Sequence, residues 1–427
     1  MTLETVATRQ VAEWVANEGV ELIDVRSPDA YNGWRLGGEP RGGHIPGARC
    51  LPAKWAAYID WLDIVRSKGI EPGATVVLYG YADEDIQAVA RLFLRAGFKD
   101  VRGYPHFTKE WSPRAELPMD QLARYAHLVP PEWVHALLSG SDPRGGDAGK
   151  TVICHCHYDN EGDYDEGHIP GAISLDTLVL ESPETWNRRT PDELQEALEE
   201  HGITHDTAVI LYGRDSSPEP DDAFPGKSAG HLAAMRCAFL LMYAGVKDVR
   251  VLNGGLRSWQ DAQLPVTSAT TVPAHAADFG VKIPARPEIV LDTPDVKALL
   301  ASKDGQLVSM RSRPEFEGKV SGYNYIEAKG RIPGEVFGNC GRDAYHMDNY
   351  RNPDHTTLEY PQIAEALKAA GIVPGQRVVF FCGTGWRASE AFYNTWLMGW
   401  ANIAVYDGGW FEWSKDPANP TETGAPK

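Results

Sequence analysis

A chain of 427 residues, 43% hydrophobic and 23% charged with 42 Gly and 30 Pro, is too long for one ordinary core and too apolar for a disordered or fibrous protein. Length alone suggests about three domains. The net charge of -18 disfavours nucleic acid or an anionic membrane as main partner, and no basic patch offsets it.

The opening segment MTLETVATRQVAEW lacks the charged-then-apolar layout of a signal peptide, and no apolar run approaches the roughly 20 residues of a membrane span. The cytoplasm is the expected location, with the periplasm open if a leader was removed. The first unit then reads LIDVRSPDAYNGWRLGGEPRGGHIPGA over 22–48, VVLYGYADED from 76, and an amphipathic stretch ending LRAGFKDVRGY. That is strand, turn, long loop, strand, helix, strand.

After LARYAHLVPPEWV near 130 the pattern restarts: VICHCHYDNEGDYDEGHIPGAISLD from 152, AVILYGRD from 208, and AAMRCAFLLMYAGVKDVRVLNGGLRSW from 233. Cys154 and Cys156 in VICHCH invite comparison with a metal site. Strand alternation puts both cysteines on one face and His155 and His157 on the other, so no single cluster is expected. The acidic stretch from Asp215 to Phe224 reads as a solvated insertion in place of a compact loop, with docking as the alternative.

An Ala/Pro/Thr-rich segment without a period, 267–288, reads as a linker strapped along the surface. The third unit follows, with LVSMRSRPEFEGKVSGYNYIEAKGRIPGEVFG from 307 and VVFFCGTGWRASEAFYNTWLMGWANIAVYDGGWFEW from 378. Domains are therefore expected at 1–127, 128–268 and 288–427, with a linker over 269–287. Short apolar runs alternating with amphipathic stretches predict the α/β class, with parallel βαβ units and helices on both faces of each sheet.

Aligning the apolar strands sets Cys382 opposite Gly80 and Gly213. Six cysteines are too sparse for a disulfide framework, and most are expected to be buried small hydrophobes. Cys382 differs, because it ends a strand and directly precedes a helix, where open α/β sheets bind ligands. Gly383 and Gly385 are expected to take positive φ so that successive amides point at one atom, and those donors plus the helix start favour a thiolate. Arg387 can fix the loop by a forked bond to a carboxylate or add charge for an anionic donor. Thr384 is uncharged, Trp386 either stacks on an acceptor or covers the core, and Ser389 either caps the helix or meets substrate.

With these motifs on view, the chain resembles a three-domain bacterial thiosulfate sulfurtransferase of the rhodanese superfamily. The likeness rests on GHIPGA at 43–48 and 167–172, its variant GRIPGE at 330–335, the closing segments VLNGGLRSW and VYDGGWFEW, and CGTGWR at 382–387. It implies three tandem rhodanese-like domains, the first two inactive for want of a cysteine, with catalysis in the third through a Cys382 persulfide. The sulfur would come from thiosulfate or 3-mercaptopyruvate and pass to a thiol, cyanide or an acceptor protein, with no cofactor and no metal. Gly383, Thr384, Gly385, Trp386 and Arg387 would bind the donor, and Arg311 in VSMRSRPEF would face its negative groups. Related phosphatases use a loop one residue longer, which counts against phosphatase chemistry here.

Domain 3 departs from its siblings: Ser309 stands where Asp24 does, and Arg331 replaces the histidine of GHIPGA. His44 and His168 are expected to brace turns, and Asp407 and Glu412 to satisfy amides or arginines. The silent domain is expected to pack against the active one and shape its pocket. Three fused domains burying each other's faces make a monomer the default. The rival to the enzyme is a scaffold in which no step needs Cys382.

Overall fold

The computed structural model describes residues 3–17, 19–141, 151–216 and 225–425; most of the acidic stretch 215–224 lies outside them. It holds three parallel sheets of five strands each. The first contains β1 (Glu4–Thr5), β2 (Glu21–Asp24), β3 (Arg49–Cys50), β4 (Thr75–Tyr79) and β5 (Asp100–Tyr104) in the order β1-β5-β4-β2-β3. The second repeats that order with β6 (Leu128–Val129), β7 (Thr151–His157), β8 (Ile173–Asp176), β9 (Ala208–Gly213) and β10 (Asp248–Leu252). The third repeats it with β11 (Val290–Leu291), β12 (Gly305–Ser309), β13 (Val336–Phe337), β14 (Arg377–Phe381) and β15 (Ile403–Tyr406). Helices surround each sheet, so the central strands are apolar throughout: Val378 to Phe381 of β14 are fully buried.

The chain divides into two compact bodies, Met1–Ala126 and His127–Lys427, and the second contains two of the sheets. Within it the helix Gly230–Ala244 is buried along nearly its whole length, which explains why its sequence AAMRCAFLLMYA lacks a polar face. One side covers the second sheet. The other meets the helix Trp386–Leu397 of the third, with Phe239 against Phe392 at 5.1 Å between ring centroids, and the Tyr393 hydroxyl donates to the His127 carbonyl at 2.8 Å. Gly245, at φ 117°, ends the first helix, a conformation that suits glycine.

Strand β7 alternates as its sequence predicts. Cys154 and Cys156 lie toward Cys237 of the covering helix, whereas His155 packs on the rings of Tyr164 and Tyr212 at 5.9 and 5.0 Å, and burial pushes its pKa down to about 3. The Ala/Pro/Thr-rich segment runs along the second sheet's layer: Thr271 N–H donates to the Tyr164 hydroxyl, Ala276 N–H to the Glu199 carbonyl and Ala285 N–H to the Ala244 carbonyl. Among the described residues no helix is long and apolar enough to cross a membrane.

Candidate functional site

Strand β14 is the middle strand of its sheet and delivers Cys382 at its carboxyl end, where the chain turns within the residues Cys382–Gly385 into the helix Trp386–Leu397. The first amides of a helix have no partner within it, so the helix start lies next to the cysteine with donors not used by the helix itself. Cys382 is fully buried and free of disulfides. Ser389 does not cap the helix: its hydroxyl donates back to the Gly385 carbonyl at 2.8 Å, within the first turn.

The two loop glycines do different jobs, which corrects the expectation of positive φ at both. Gly385 has φ 92°, and a β-carbon there would stand 2.8 Å from the Arg236 guanidinium. Gly383 is not in the left-handed region; it is glycine because a β-carbon would overlap the Tyr323 ring. The tyrosine thus sits directly on the loop backbone.

Arg387 fixes the loop through the expected fork, and the carboxylate is Glu315. Its Nη1 and Nη2 each donate to one carboxylate oxygen at 2.9 Å, with both side chains wholly buried. Nη1 also reaches the Asp343 carbonyl and Cys340 Sγ at 3.1 Å, and Nη2 the Tyr323 hydroxyl at 2.6 Å. Glu315 is itself set by a capping box, accepting from Ser312 N–H and Oγ at 2.9 and 2.7 Å. Burial works to neutralise this carboxyl, yet Arg387 holds it below the usual carboxylate range. Burial also pushes the Cys340 thiol up to about 12, so it stays protonated.

Tyr323 accepts from Gly383 N–H at 3.2 Å and from Arg387, which leaves its own proton free to donate. Burial keeps that phenol far above its ordinary pKa, although Arg387 opposes the shift, and Cys382 lies within electrostatic reach. Tyr325 bonds to Thr384 and packs on Tyr323 at 5.2 Å. Trp386 is turned toward the second domain, where its Nε1 donates to Glu181 at 3.0 Å. Burial raises Glu181 to about 7 against the pull of Arg236.

Arg311 does not face the loop's mouth as expected. Its nitrogens donate to Ser309 Oγ, the Gly330 carbonyl and Glu335 at 2.9–3.0 Å, beneath the Trp410 ring. Arg26 makes the matching bonds to Asp24 and the Gly43 carbonyl in a unit whose loop has Gly80 in place of the cysteine, so this arginine braces the long loop. His44 and His168 bond the Tyr31 and Tyr164 carbonyls as expected. Asp407 meets an amide and two arginines, Arg188 and Arg236, as expected, whereas Glu412 accepts from the side-chain amide of Asn187 and a hydroxyl instead.

The silent loops are closed by geometry as well as by sequence. A β-carbon on Gly80 would stand 2.6 Å from Val25, and one on Gly213 would coincide with the Gly230 carbonyl. Sequence reasoning missed Glu315, Tyr323 and Glu181. The first carried a readable signal in the capping box SRPE; the other two are joined to the loop only by tertiary packing.

Such a fold and loop define a rhodanese-type sulfurtransferase. The rhodanese-like domain family matches residues 7–113, 147–262 and 292–416, and the chain belongs to that family. Over 408 residues it is 41% identical to the thiosulfate sulfurtransferase YnjE of Escherichia coli K12, covering 95% of this chain and 89% of that protein. The sulfur carrier protein TtuD of Thermus thermophilus is 27% identical over 299 residues, 68% of this chain and 95% of that one. Two solved structures of EanB are 52% identical. One, a tyrosine-to-alanine variant with ergothioneine, has TM-score 0.98 and full coverage of both chains; the other, a cysteine persulfide in a tetrahedral intermediate state with ergothioneine, has TM-score 0.97 and covers 99% of this chain and 100% of that one.

Proposed function

We propose that Cys382 carries sulfane sulfur as a persulfide and delivers it to the imidazole carbon of a histidine betaine such as hercynine. The observation that carries this reading is the Tyr323 hydroxyl, held by Gly383 N–H and Arg387 beside Cys382 with its proton free. Sequence separations support it. The tyrosine and threonine substituted in EanB structures with ergothioneine or hercynine stand as far from its persulfide cysteine as Tyr323 and Thr384 stand from Cys382. Aromatic rings beside the loop, Tyr325 bonded to Thr384 and Tyr158 against Trp386 at 5.8 Å, suit a quaternary ammonium group.

Loading begins when the Cys382 thiolate attacks the outer sulfur of thiosulfate; that S–S bond breaks and sulfite leaves with its electron pair. With 3-mercaptopyruvate the same attack expels the pyruvate carbanion, which takes a proton. In transfer, the persulfide's terminal sulfur bonds the imidazole carbon, the carbon's proton passes to nitrogen, and the S–S bond breaks back to the Cys382 thiolate. Atoms and electrons balance without an added oxidant. Tyr323 donates a hydrogen bond to the reacting group, while the amides of the turn and helix start hold the sulfur anion.

Intact mass after incubation with thiosulfate, 3-mercaptopyruvate or an inorganic polysulfide tests loading. One added sulfur, lost with reductant and absent in Cys382→Ser, is expected. The loaded protein is then offered hercynine, cyanide or a thiol. Formation of the thione, abolished or slowed about 10²–10⁴-fold in Tyr323→Phe, supports the reading. Discharge to cyanide and thiols alone would make the protein a plain thiosulfate-type sulfurtransferase like YnjE, and no loading from any donor would leave a scaffold.

A further inference from the structure

We infer that the Glu181–Arg188 segment of the second domain, whose own loop has Gly213 in place of the cysteine, is a positioning element of the sulfur-transfer site and sets its acceptor selectivity through Trp186 and Tyr325. This rests on the proposed transfer to an aromatic cation.

The segment forms a small hairpin, bridged at Glu181 and Arg188, that leaves its own sheet and is held by the third domain along its length. Glu181 accepts from the Trp386 indole at 3.0 Å. Asn187 donates to Glu412 at 2.7 Å, and Arg188 meets Asp407 through its N–H at 2.8 Å and Asp292 through its guanidinium at 2.9 Å. Arg236, from the long helix of the same domain, donates to the Trp186 carbonyl at 3.0 Å and to Glu181 at 2.9 Å, so the hairpin's backbone and its acid share one cation.

Trp186 is the only hairpin residue with a large ring, and it is buried in the hydrophobic cluster of the third domain, not in that of its own. Its backbone has φ 62°, a left-handed conformation that a bulky side chain avoids and that persists where the surroundings over-determine it, commonly at functional sites. Both ring faces are occupied, by Tyr158 at 5.2 Å and Tyr325 at 4.9 Å, so Trp186 has no face left for a ligand and acts through its neighbour. Tyr325 bonds Thr384 and packs on Tyr323, and both tyrosines lie within electrostatic reach of Cys382. A strained tryptophan beside a wholly buried carboxylate is an uneconomical way to glue two domains, since well-packed aliphatic residues would serve as well or better. It is a direct way to fix a ring.

The test separates the two half reactions in the full chain. Native protein, Trp186→Ala and Trp186→Phe are loaded with sulfur, checked by intact mass, and discharged to hercynine or to cyanide under single turnover. The expected result is loading in all three, a half-saturating hercynine concentration raised about tenfold or more in Trp186→Ala, cyanide discharge within about twofold of native, and recovery in Trp186→Phe. Equal loss toward both acceptors, or no loss toward either, overturns the inference. If Trp186→Ala fails to load, Trp186→Leu, which fills the slot without a stacking face, is read in the same comparison, and native-like discharge to both acceptors overturns it. Failure of native protein to load at all, or to discharge to hercynine, defeats the proposed function instead.

Discussion

Replacing Glu315 by Gln removes the carboxylate that pairs with Arg387. Both side chains are wholly buried, and the two 2.9 Å bonds form a fork. Breaking one side of such a pair costs about 3–5 kcal/mol; Gln retains one acceptor, so the lower end, about 3 kcal/mol, applies. At roughly 1.4 kcal/mol per tenfold, that is on the order of a hundredfold greater population of the opened loop. Amide exchange at 383–387 should accelerate accordingly, and sulfur loading of Cys382 should slow. The sign with pH is fixed as well. Glu315 is held below its unfolded value, so its contribution is complete above the unfolded pKa and is lost as pH falls through the folded one. The native loop should therefore loosen in acid, whereas the Gln variant should show a flatter exchange profile. Exchange and loading both within about twofold of native at neutral pH would refute the assignment of Arg387 to loop shape.

Gly385→Ala meets both a φ of 92° and the Arg236 guanidinium, so a loss of about 1–2 kcal/mol with slower loading is expected, and an unchanged melting curve and loading rate would contradict it. Gly213→Cys in a Cys382→Ser background should take up no sulfur by intact mass, because Gly230 fills the space the new side chain needs; a gain of one sulfur would show the second loop to be competent. Arg311→Lys should lower stability by about 1–3 kcal/mol and leave the rate of Cys382 sulfur loading unchanged, since among the described residues the arginine bonds Ser309, Gly330 and Glu335. Slower loading at native stability would restore its expected donor-facing role.

The repeats were legible because each unit writes its strands as short apolar runs, and the candidate cysteine because a strand-to-helix turn with two glycines and an arginine has few other uses. Arg387 could be assigned a carboxylate but not which one, as Glu315 lies 72 residues upstream. Tyr323 stands in a long loop with no period, and Glu181 and Trp186 belong to another domain; nothing local marks residues whose role depends on docking two cores. Arg311 misled for the opposite reason. A charged residue next to a catalytic strand invites a substrate role, while the buried loop it braces is visible only once folded. The positive φ expected at Gly383 failed similarly, because a glycine can be required by a neighbour's ring as readily as by its own backbone.

The closing segments explain why a cysteine alone would not make a unit active. In the third unit Gly409, at φ 56°, brings the last helix so close that a β-carbon would stand 2.5 Å from the Gly383 carbonyl, and Trp410 and Phe411 N–H donate to the Cys382 and Gly383 carbonyls at 2.8 and 3.0 Å. These bonds tie the loop's first two carbonyls to the last helix. The second unit retains this device: Gly255, at φ 59°, would bring a β-carbon 2.7 Å from the Gly213 carbonyl, although no cysteine precedes it. In the first unit the last strand ends at Tyr104 and runs on into Pro105, His106 and Phe107 with no glycine pair, so that unit lacks this device. The second unit therefore keeps the frame of a sulfur site and lacks its reacting residue, while its Glu181 and Arg236 reach the loop of the third. A unit that keeps its packing geometry while supplying side chains to its neighbour is under a constraint that the first unit's loop does not share.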